Sequence, residues 1–335
     1  MATDGLGRTI DYLRISVTDK CNYRCRYCMP AEGVTPLSHR DILSIEEIVE
    51  FVRIAATEGI AHIRITGGEP LVRKGIVDLI RQIASLEGIK SLALTTNAAL
   101  LPSMADDLKA AGLNRVNISL DTFDPDAFAY LTRTGNVADA LAGIEKALEV
   151  GFDPVKVNCV VIRSLKQDFL EFARMTVEKP ISVRFIEFMP VGSQAGVNDA
   201  GWNEGDVVPS DELRQTISAL TAAAGLGELA PADPAKQPQG NGPASYWQLP
   251  DAQGSIGFIS SRSNHFCSTC NRLRLTADGF LRPCLFSDKE FSVKEPLRAG
   301  SEDGVRAALH SALDEKPDAH HNKVGTERNM SKIGG

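Results

Sequence analysis

Short runs of β-branched residues that alternate with helical patterns set the strongest limit on the fold of this 335-residue chain. Six of these runs have the length and composition of strands. We predict them at residues 12–18, 62–66, 92–96, 115–120, 155–161 and 183–188, with helices at 45–58, 75–86, 102–111, 137–150 and 167–177. Such alternation predicts an α/β fold in which helices cover a parallel sheet. Because a closed (β/α)8 barrel needs eight strands, we expect an incomplete, six-stranded barrel.

The predicted strands have one apolar and one polar face, whereas a strand buried on both sides is apolar throughout. In the first strand, Leu13 and Ile15 alternate with Arg14. Cations recur on the polar faces of the other strands, and a buried cation is costly unless an anion compensates it. We therefore predict a polar cavity for an anionic ligand. The alternative is that each cation pairs with a carboxylate or extends to the rim. The cations are Arg14, Arg64, Lys156 and Arg184.

Three of the seven cysteines follow the first predicted strand, at Cys21, Cys25 and Cys28. A structural zinc ion takes four protein ligands, and an ordinary four-iron cluster takes four cysteines. Three thiolates therefore indicate a centre that keeps one position open for another ligand. Cys159 lies in an apolar run and is expected in the core, where free cysteine behaves as a small hydrophobe.

A second trio consists of Cys267, Cys270 and Cys284. The dipeptide Asp278-Gly279 lies between the last two, and it predicts a hairpin with a two-residue turn. That hairpin would bring Cys284 opposite Leu273 and hence close to Cys270. A second open iron–sulfur cluster is the favoured interpretation, and a zinc site completed by His265 is the alternative.

The tetrapeptide Gly67-Gly68-Glu69-Pro70 directly follows the second predicted strand. Paired glycines allow a backbone to approach another group without an intervening Cβ. The Glu69 carboxylate can accept hydrogen bonds from a neighbouring group. The segment is therefore a candidate ligand-binding loop, and an ordinary strand-to-helix turn is the alternative.

The composition of the chain disfavours several classes of function. A net charge of −7 disfavours non-specific nucleic-acid binding, which normally requires a basic surface. No run of about 18 apolar residues predicts a membrane span, and the first eleven residues lack a signal-peptide pattern. We expect a cytoplasmic protein with no nucleic-acid or membrane partner.

Proline and glycine at residues 224–244 predict a flexible connection between domains at 1–223 and 245–335.

Taken together, these motifs resemble one family within the radical S-adenosylmethionine (SAM) superfamily, the GTP 3′,8-cyclases of molybdenum cofactor biosynthesis. The resemblance rests on the first cysteine trio with an aromatic residue before its last member, on Gly-Gly-Glu-Pro and on Cys-x2-Cys-Asn-Arg-Leu-Arg-Leu-Thr-Ala-Asp-Gly-x-Leu-Arg-x-Cys. The final Ile333-Gly334-Gly335 adds to it. It implies an incomplete (β/α)6 TIM-like barrel with a C-terminal domain that carries an auxiliary cluster.

The resemblance also implies roles for individual residues. A [4Fe-4S] cluster on the first trio would bind SAM, and a second [4Fe-4S] cluster on the second trio would bind the guanine base of GTP. Gly334 and Gly335 would reach into the active site, and Arg184 would be a further basic residue of the cavity. The implied SAM contacts are Tyr27, Gly68, Ser119 and Met189, and the implied GTP contacts are Arg14, Arg64, Thr95, Lys156, Arg272 and Arg274.

The implied reaction cleaves SAM to a 5′-deoxyadenosyl radical, which takes hydrogen from C3′ of GTP so that C3′ attacks C8. The resemblance implies a reducing electron donor and a separate cyclic pyranopterin monophosphate synthase that uses the product. We expect a homodimer, and a magnesium ion on the triphosphate is left open. Three alternatives remain: a radical SAM enzyme acting on a peptide or sugar, a two-cluster electron carrier and a zinc-binding interaction module.

Overall fold

The computed structural model describes residues 2–189, 200–234, 237–238, 240–320 and 326–334. The six predicted strands are present, and each pairs in parallel with the next. The prediction of a parallel α/β sheet is therefore confirmed. The strands are β1 Tyr12–Ser16, β2 His62–Thr66, β3 Ser91–Thr96, β4 Arg115–Ser119, β5 Val155–Val161 and β6 Ile181–Glu187.

Helices cover the outer face of these strands, and the apolar strand residues pack beneath them. Leu13 and Ile15 of β1 are fully buried. Ser44 and Glu47 form the capping box that starts the first helix, as the sequence pattern indicates. The helices between the strands are α1 Ile45–Thr57, α2 Ile76–Ala84, α3 Leu101–Ala110, α4 Pro125–Thr132, α5 Val137–Glu149 and α6 Phe169–Glu178.

Helix α4 was not predicted from the sequence. Its start has a clear local signal, because Asp124 accepts hydrogen bonds from the backbone N–H groups of Asp126 and Ala127, and Pro125 occupies the first turn. The short helix lies in the connection between β4 and α5, where no separate helix was predicted.

Strands from the C-terminal half join both edges of the six-stranded sheet. Strand β9, Ser255–Ile259, pairs in parallel with β6, and β10, Arg272–Leu275, pairs in parallel with β1. The remaining strands are β7 Ala230–Pro231, β8 Ser245–Gln248, β11 Phe280–Arg282 and β12 Phe291–Ser292. The described residues thus form one sheet of twelve strands, whose order is β12-β11-β10-β1-β2-β3-β4-β5-β6-β9-β8-β7.

The helices of the C-terminal half are α7 Ser210–Ala223, α8 Lys294–Arg298, α9 Glu302–Asp314 and α10 Met330–Ile333. The division into domains at residues 224–244 stays a prediction.

The hairpin predicted at Asp278-Gly279 is present, but the predicted register was wrong by one residue. Leu275 pairs with Leu281, and the Thr276 N–H donates to Phe280 O at 2.9 Å, which leaves a three-residue loop. Gly279 takes the left-handed conformation that such a loop requires, with φ of 85°. In this register Cys284 falls opposite Arg272 instead of Leu273, and it still lies near Cys270.

The described helices include none that is both long and apolar enough to cross a lipid bilayer.

Candidate active site

Both cysteine trios line a single cavity of about 330 Å³ inside the sheet. The first trio follows the carboxyl end of β1. The second begins at the opposite end, because Cys270 lies just before β10 and Arg272 pairs with Tyr12 at the start of β1. A five-residue strand is roughly 16 Å long. The two trios therefore bound the cavity from opposite ends of the same strands.

The loop that carries the first trio lies directly on the Gly67-Gly68 backbone. The Gly68 N–H donates to Thr18 O, and the Glu69 N–H donates to Lys20 O, both at 2.8 Å. A Cβ on Gly68 would lie 2.3 Å from Lys20 O, well inside van der Waals contact. The close approach predicted for these glycines is thus made to the cysteine loop itself.

The Glu69 carboxylate links the end of β2 to the end of β3. It accepts hydrogen bonds from the N–H of Leu71 at 3.0 Å and from the Thr96 hydroxyl and the Asn97 N–H, both at 2.8 Å. Burial raises the pKa of Glu69 to about 7 despite these donors. The carboxylate therefore supports the loop on which the first trio rests.

The thiols of the first trio are poor acids in this protein without a bound metal. Burial raises the pKa of Cys21 to about 11 and that of Cys28 to about 12. Because a metal binds the thiolate form, a cationic centre must displace these protons when it binds. Three thiols facing one cavity, with a tail amide (Ser331 N–H) directed at Cys28, fit the open-sided iron–sulfur cluster predicted from the sequence.

Tyr27, which precedes the last cysteine of this trio, is fixed by a carboxylate that sequence reasoning missed. Its hydroxyl donates to Asp121 Oδ2 at 2.9 Å, and Asp121 Oδ1 accepts from the Val160 N–H at 2.7 Å. Asp121 continues the alternation of Asn117 and Ser119 two residues beyond the end of β4, and no sequence motif marks it. All four predicted SAM contacts line the cavity, namely Tyr27, Gly68, Ser119 and Met189. Their roles as SAM contacts stay predictions.

The second trio is surrounded by cations. Burial alone would raise the pKa of Cys270, but the positive charges of Lys316 and Arg272 bring it below its ordinary value. His265 lines the same cavity, and its ring lies 5.0 Å from that of His320. Within the described part of the chain, no three His, Cys, Asp or Glu side chains converge on a single metal ion. Lys316 was not predicted as a neighbour of this trio, because no sequence motif marks it.

Five of the six predicted GTP contacts lie on the wall of the cavity between the two trios. Among the described residues, the buried Nε atoms of Arg64 and Arg272 and the hydroxyl of Thr95 have no hydrogen-bond partner. Buried polar groups are normally paired, so these donors fit a ligand that supplies acceptors. The predicted contacts that line the cavity are Arg14, Arg64, Thr95, Arg272 and Arg274.

Lys156 lies on the same face of β5 as Asn158, which lines the cavity, but Lys156 does not line the cavity itself. It is 4% exposed, and burial together with the charges of Arg184, Arg64 and Arg115 lowers its pKa to about 6. Arg184 does line the cavity, and its guanidinium donates to the side-chain oxygens of Asn158 and Asn117 at 2.6 Å. These amides hold Arg184 without cancelling its charge.

The C-terminal tail lies inside the cavity mouth. Arg274 donates to Gly334 O, and a Cβ on Gly334 would lie 2.7 Å from Thr66 Cγ2. Ile333 forms a small buried cluster with Phe286, against which Met330 and Cys284 both pack, while the Ser331 N–H is directed at Cys28. Helix α10 thus lies near both trios. Gly335, predicted to act with Gly334, lies outside the described residues.

Arg328 anchors this tail to the hairpin. It makes two hydrogen bonds of 2.9 Å to Asp278 and one of 2.6 Å to Glu290.

We expect Arg328→Ala to reduce substrate turnover roughly tenfold or more. Removing one partner of a partly buried charge pair costs on the order of 2–5 kcal/mol, which would weaken the docking of the tail. Turnover and protease cleavage within residues 326–334 would be measured together. Wild-type turnover with an equally protected tail would contradict the anchoring role.

Comparisons with known proteins agree with this geometry. The sequence matches the Radical SAM superfamily over residues 15–176 and Molybdenum Cofactor Synthesis C over residues 181–322. It is 51% identical to the GTP 3′,8-cyclase of Pelotomaculum thermopropionicum and 48% identical to that of Moorella thermoacetica, over 99% of each chain. The chain belongs to the GTP 3′,8-cyclase family. The family membership predicted from the motifs is confirmed, and the chain is an enzyme of the radical SAM type.

Two solved structures with bound S-adenosylmethionine share the fold of this cyclase-family chain. Streptococcus suis SuiB bound to S-adenosylmethionine has a TM-score of 0.59 at 16% identity, covering 90% of this chain and 68% of SuiB. The protein anSMEcpe with bound AdoMet, another abbreviation of S-adenosylmethionine, has a TM-score of 0.53 at 15% identity. The match covers 92% of this chain and 78% of anSMEcpe. The match to the Radical SAM superfamily supports SAM and an iron–sulfur cluster as cofactors of this family member, whereas the number of clusters stays a prediction.

Proposed function

We propose that this chain converts GTP to (8S)-3′,8-cyclo-7,8-dihydroguanosine 5′-triphosphate, the first step of molybdenum cofactor biosynthesis, with two [4Fe-4S] clusters. The observation that carries the proposal is the single cavity lined by both cysteine trios and by the unpartnered donors of Arg64, Arg272 and Thr95. A radical enzyme must hold its cofactor and substrate together in one enclosed space.

In this proposal Cys21, Cys25 and Cys28 would hold the first cluster and leave one of its positions open for SAM. When bound, that cluster would supply the electron for cleavage of SAM to methionine and a 5′-deoxyadenosyl radical. The chain itself supplies geometry. Gly68 and Glu69 hold the loop, and the hydrogen bond from Tyr27 to Asp121 fixes the side chain next to the last ligand.

Cys267, Cys270 and Cys284 would hold the second cluster, with its open iron for the guanine base. The triphosphate would then lie along the cationic wall. Guanidinium groups suit bidentate phosphate contacts, and five arginines on one cavity would compensate its negative charge. They are Arg14, Arg64, Arg184, Arg272 and Arg274. A ribose between these two sites faces the first trio, where hydrogen is taken from C3′ before C3′ bonds to C8. One further electron and a proton complete the product.

The wider setting is part of the same proposal. A reducing electron donor would supply the electrons, and a cyclic pyranopterin monophosphate synthase would use the product. We also propose a homodimer and leave the site of magnesium on the triphosphate open.

Anaerobic incubation of the iron-reconstituted protein with SAM, GTP and a reductant tests the proposal. We expect 5′-deoxyadenosine and a cyclised nucleotide isomeric with GTP, both detected by liquid chromatography and mass spectrometry. Parallel incubations contain ATP or an unrelated peptide. Release of 5′-deoxyadenosine that is independent of GTP, with no cyclised product, would refute it.

Lys156 gives a pH prediction for substrate binding. With a pKa of about 6, Lys156 is neutral at pH 8, where the triphosphate is fully ionised. A bound phosphate favours the ammonium form, so GTP binding should take up roughly one proton and weaken as pH rises. Calorimetry in buffers of different ionisation enthalpy measures this uptake. The Lys156→Arg variant is permanently charged and should bind GTP without it. Equal proton uptake in both proteins would contradict the prediction.

A further inference from the structure

Lys316 lies beside the second trio with all three of its hydrogen-bond donors engaged. It follows α9 and is 6% exposed. Its ammonium donates to Arg272 O at 2.7 Å and to Pro283 O at 2.8 Å, and it also contacts the Cys270 thiol. An ammonium has three N–H groups and no acceptor, so its capacity is used completely.

These partners connect the segments that carry two of the three cysteines. Arg272 follows Cys270 by two residues, and Pro283 directly precedes Cys284. One ammonium therefore fixes the distance between the two segments. Its partners are two carbonyl oxygens and a sulfur, and the described residues include no carboxylate paired with it. The positive charge is thus left uncompensated at the trio.

Arg8 connects the third cysteine to the same lysine. Its guanidinium donates to Cys267 O at 2.7 Å and to Pro317 O at 2.8 Å, next to Lys316 in the chain. Arg8 is itself held by Asp4 at 2.6 Å, with side chains that are 9% and 0% exposed. Two buried cations thus join all three cysteine segments of the second trio.

We propose that Lys316, held in place by Arg8, is a positioning residue for the second trio. It keeps the Cys270 and Cys284 segments together, and it gives an iron–sulfur cluster bound there a fixed positive charge. The inference rests on the proposed function only in requiring that the second trio binds a cluster. It adds a residue that sets the electron affinity of that cluster.

The physical consequence is a change in reduction potential. The potential of an iron–sulfur cluster depends on net charge and on hydrogen bonds to its sulfur atoms. Reduction adds a negative charge, so a neighbouring ammonium stabilises the reduced form. Removing it should lower the midpoint potential of the second cluster alone, because the first trio lies at the opposite end of the strands.

The test uses the full chain after anaerobic reconstitution, in the wild type, Lys316→Met, Lys316→Arg and Lys166→Met. Lys166 is a matched control, since its side chain is 83% exposed and pairs with Asp124 on the surface. Iron per chain is measured first, followed by a redox titration of each cluster monitored by electron paramagnetic resonance. The first cluster is identified in each variant by the change in its signal on adding SAM.

We expect Lys316→Met either to shift the second cluster to a more negative potential or to lose about four iron atoms per chain, with the first cluster unchanged. Lys316→Arg should lie closer to the wild type, and Lys166→Met should match it. Wild-type iron content and an unchanged second potential in Lys316→Met would overturn the inference while leaving the two-cluster enzyme intact. A wild-type protein that binds only one cluster would instead overturn the proposed function and this inference with it.

Discussion

Replacing Cys28 with alanine is expected to abolish the release of 5′-deoxyadenosine from SAM. Removing a group that only supports a metal ligand typically costs 10–100-fold, so loss of a ligand should cost more than about 100-fold. Cys28 is one of three thiols of the first trio on the cavity, and with two thiols the proposed cluster would lose the arrangement that leaves one iron for SAM. The measurement is 5′-deoxyadenosine formed by the reconstituted protein under anaerobic conditions, together with iron per chain.

Cys159→Ala is the matched control for this experiment. Cys159 is fully buried on β5, in the core as the sequence predicts, and its thiol contacts Gln167 and the backbone O of Asp121. Its truncation should cost some stability and leave iron content and SAM cleavage near the wild-type values. Undiminished SAM cleavage by Cys28→Ala would show that the first trio is not the site of the chemistry.

The six parallel strands and the two cysteine trios could be predicted from the sequence because both have local signals. Alternation of Leu13 and Ile15 with Arg14 identifies both β1 and the face that lines the cavity. The spacing of Cys21, Cys25 and Cys28 identifies an open-sided centre without any knowledge of the fold. Each of these inferences uses residues within a short window of the chain.

The features that could not be predicted from the sequence depend on contacts between distant segments of the chain. Nothing near Arg8 indicates that it will meet Cys267, and nothing near Tyr27 indicates Asp121. The parallel pairing of β10 with β1 is likewise set by the whole sheet. The hairpin register failed for a different reason, because the Asp-Gly signal suits both two-residue and three-residue loops. Here the Thr276 side chain accepts from the Phe280 N–H at 2.9 Å and stabilises the longer one.

That long-range pairing determines how the site works. Because β10 lies beside β1 in parallel, the segment entering β10 and the segment leaving β1 are separated by the length of a strand. The cationic wall, including Arg14 and Arg274, occupies the interval between them. In the proposed function, a nucleotide bound at the second trio would present its sugar toward the first trio, where radical chemistry requires it.

Replacing Gly334 is expected to abolish cyclisation while leaving both clusters in place. Gly334 has φ of 68°, and a Cβ there would lie 2.7 Å from Thr66 Cγ2 and 3.4 Å from Ser16 Cβ. Gly334→Val must therefore strain its backbone or withdraw from the ends of β1 and β2, which breaks the hydrogen bond from Arg274 to Gly334 O. We expect a loss of more than about tenfold in cyclised product, since roughly 1.4 kcal/mol of misplacement already costs that factor.

The matched control is Gly300→Val, because Gly300 has nearly the same φ, 67°. Apart from its own chain neighbours, no atom of the described residues lies within 4 Å of the position that its Cβ would take. It imposes the same backbone strain outside the cavity, so loss of stability can be separated from loss of tail docking. Iron per chain, the effect of SAM on the first cluster and the yield of cyclised nucleotide are measured in all three proteins. The tail role requires wild-type iron and SAM binding in Gly334→Val with little product, and near wild-type product in Gly300→Val. Full cyclisation by Gly334→Val would mean that the tail at the ends of β1 and β2 takes no part in holding the substrate.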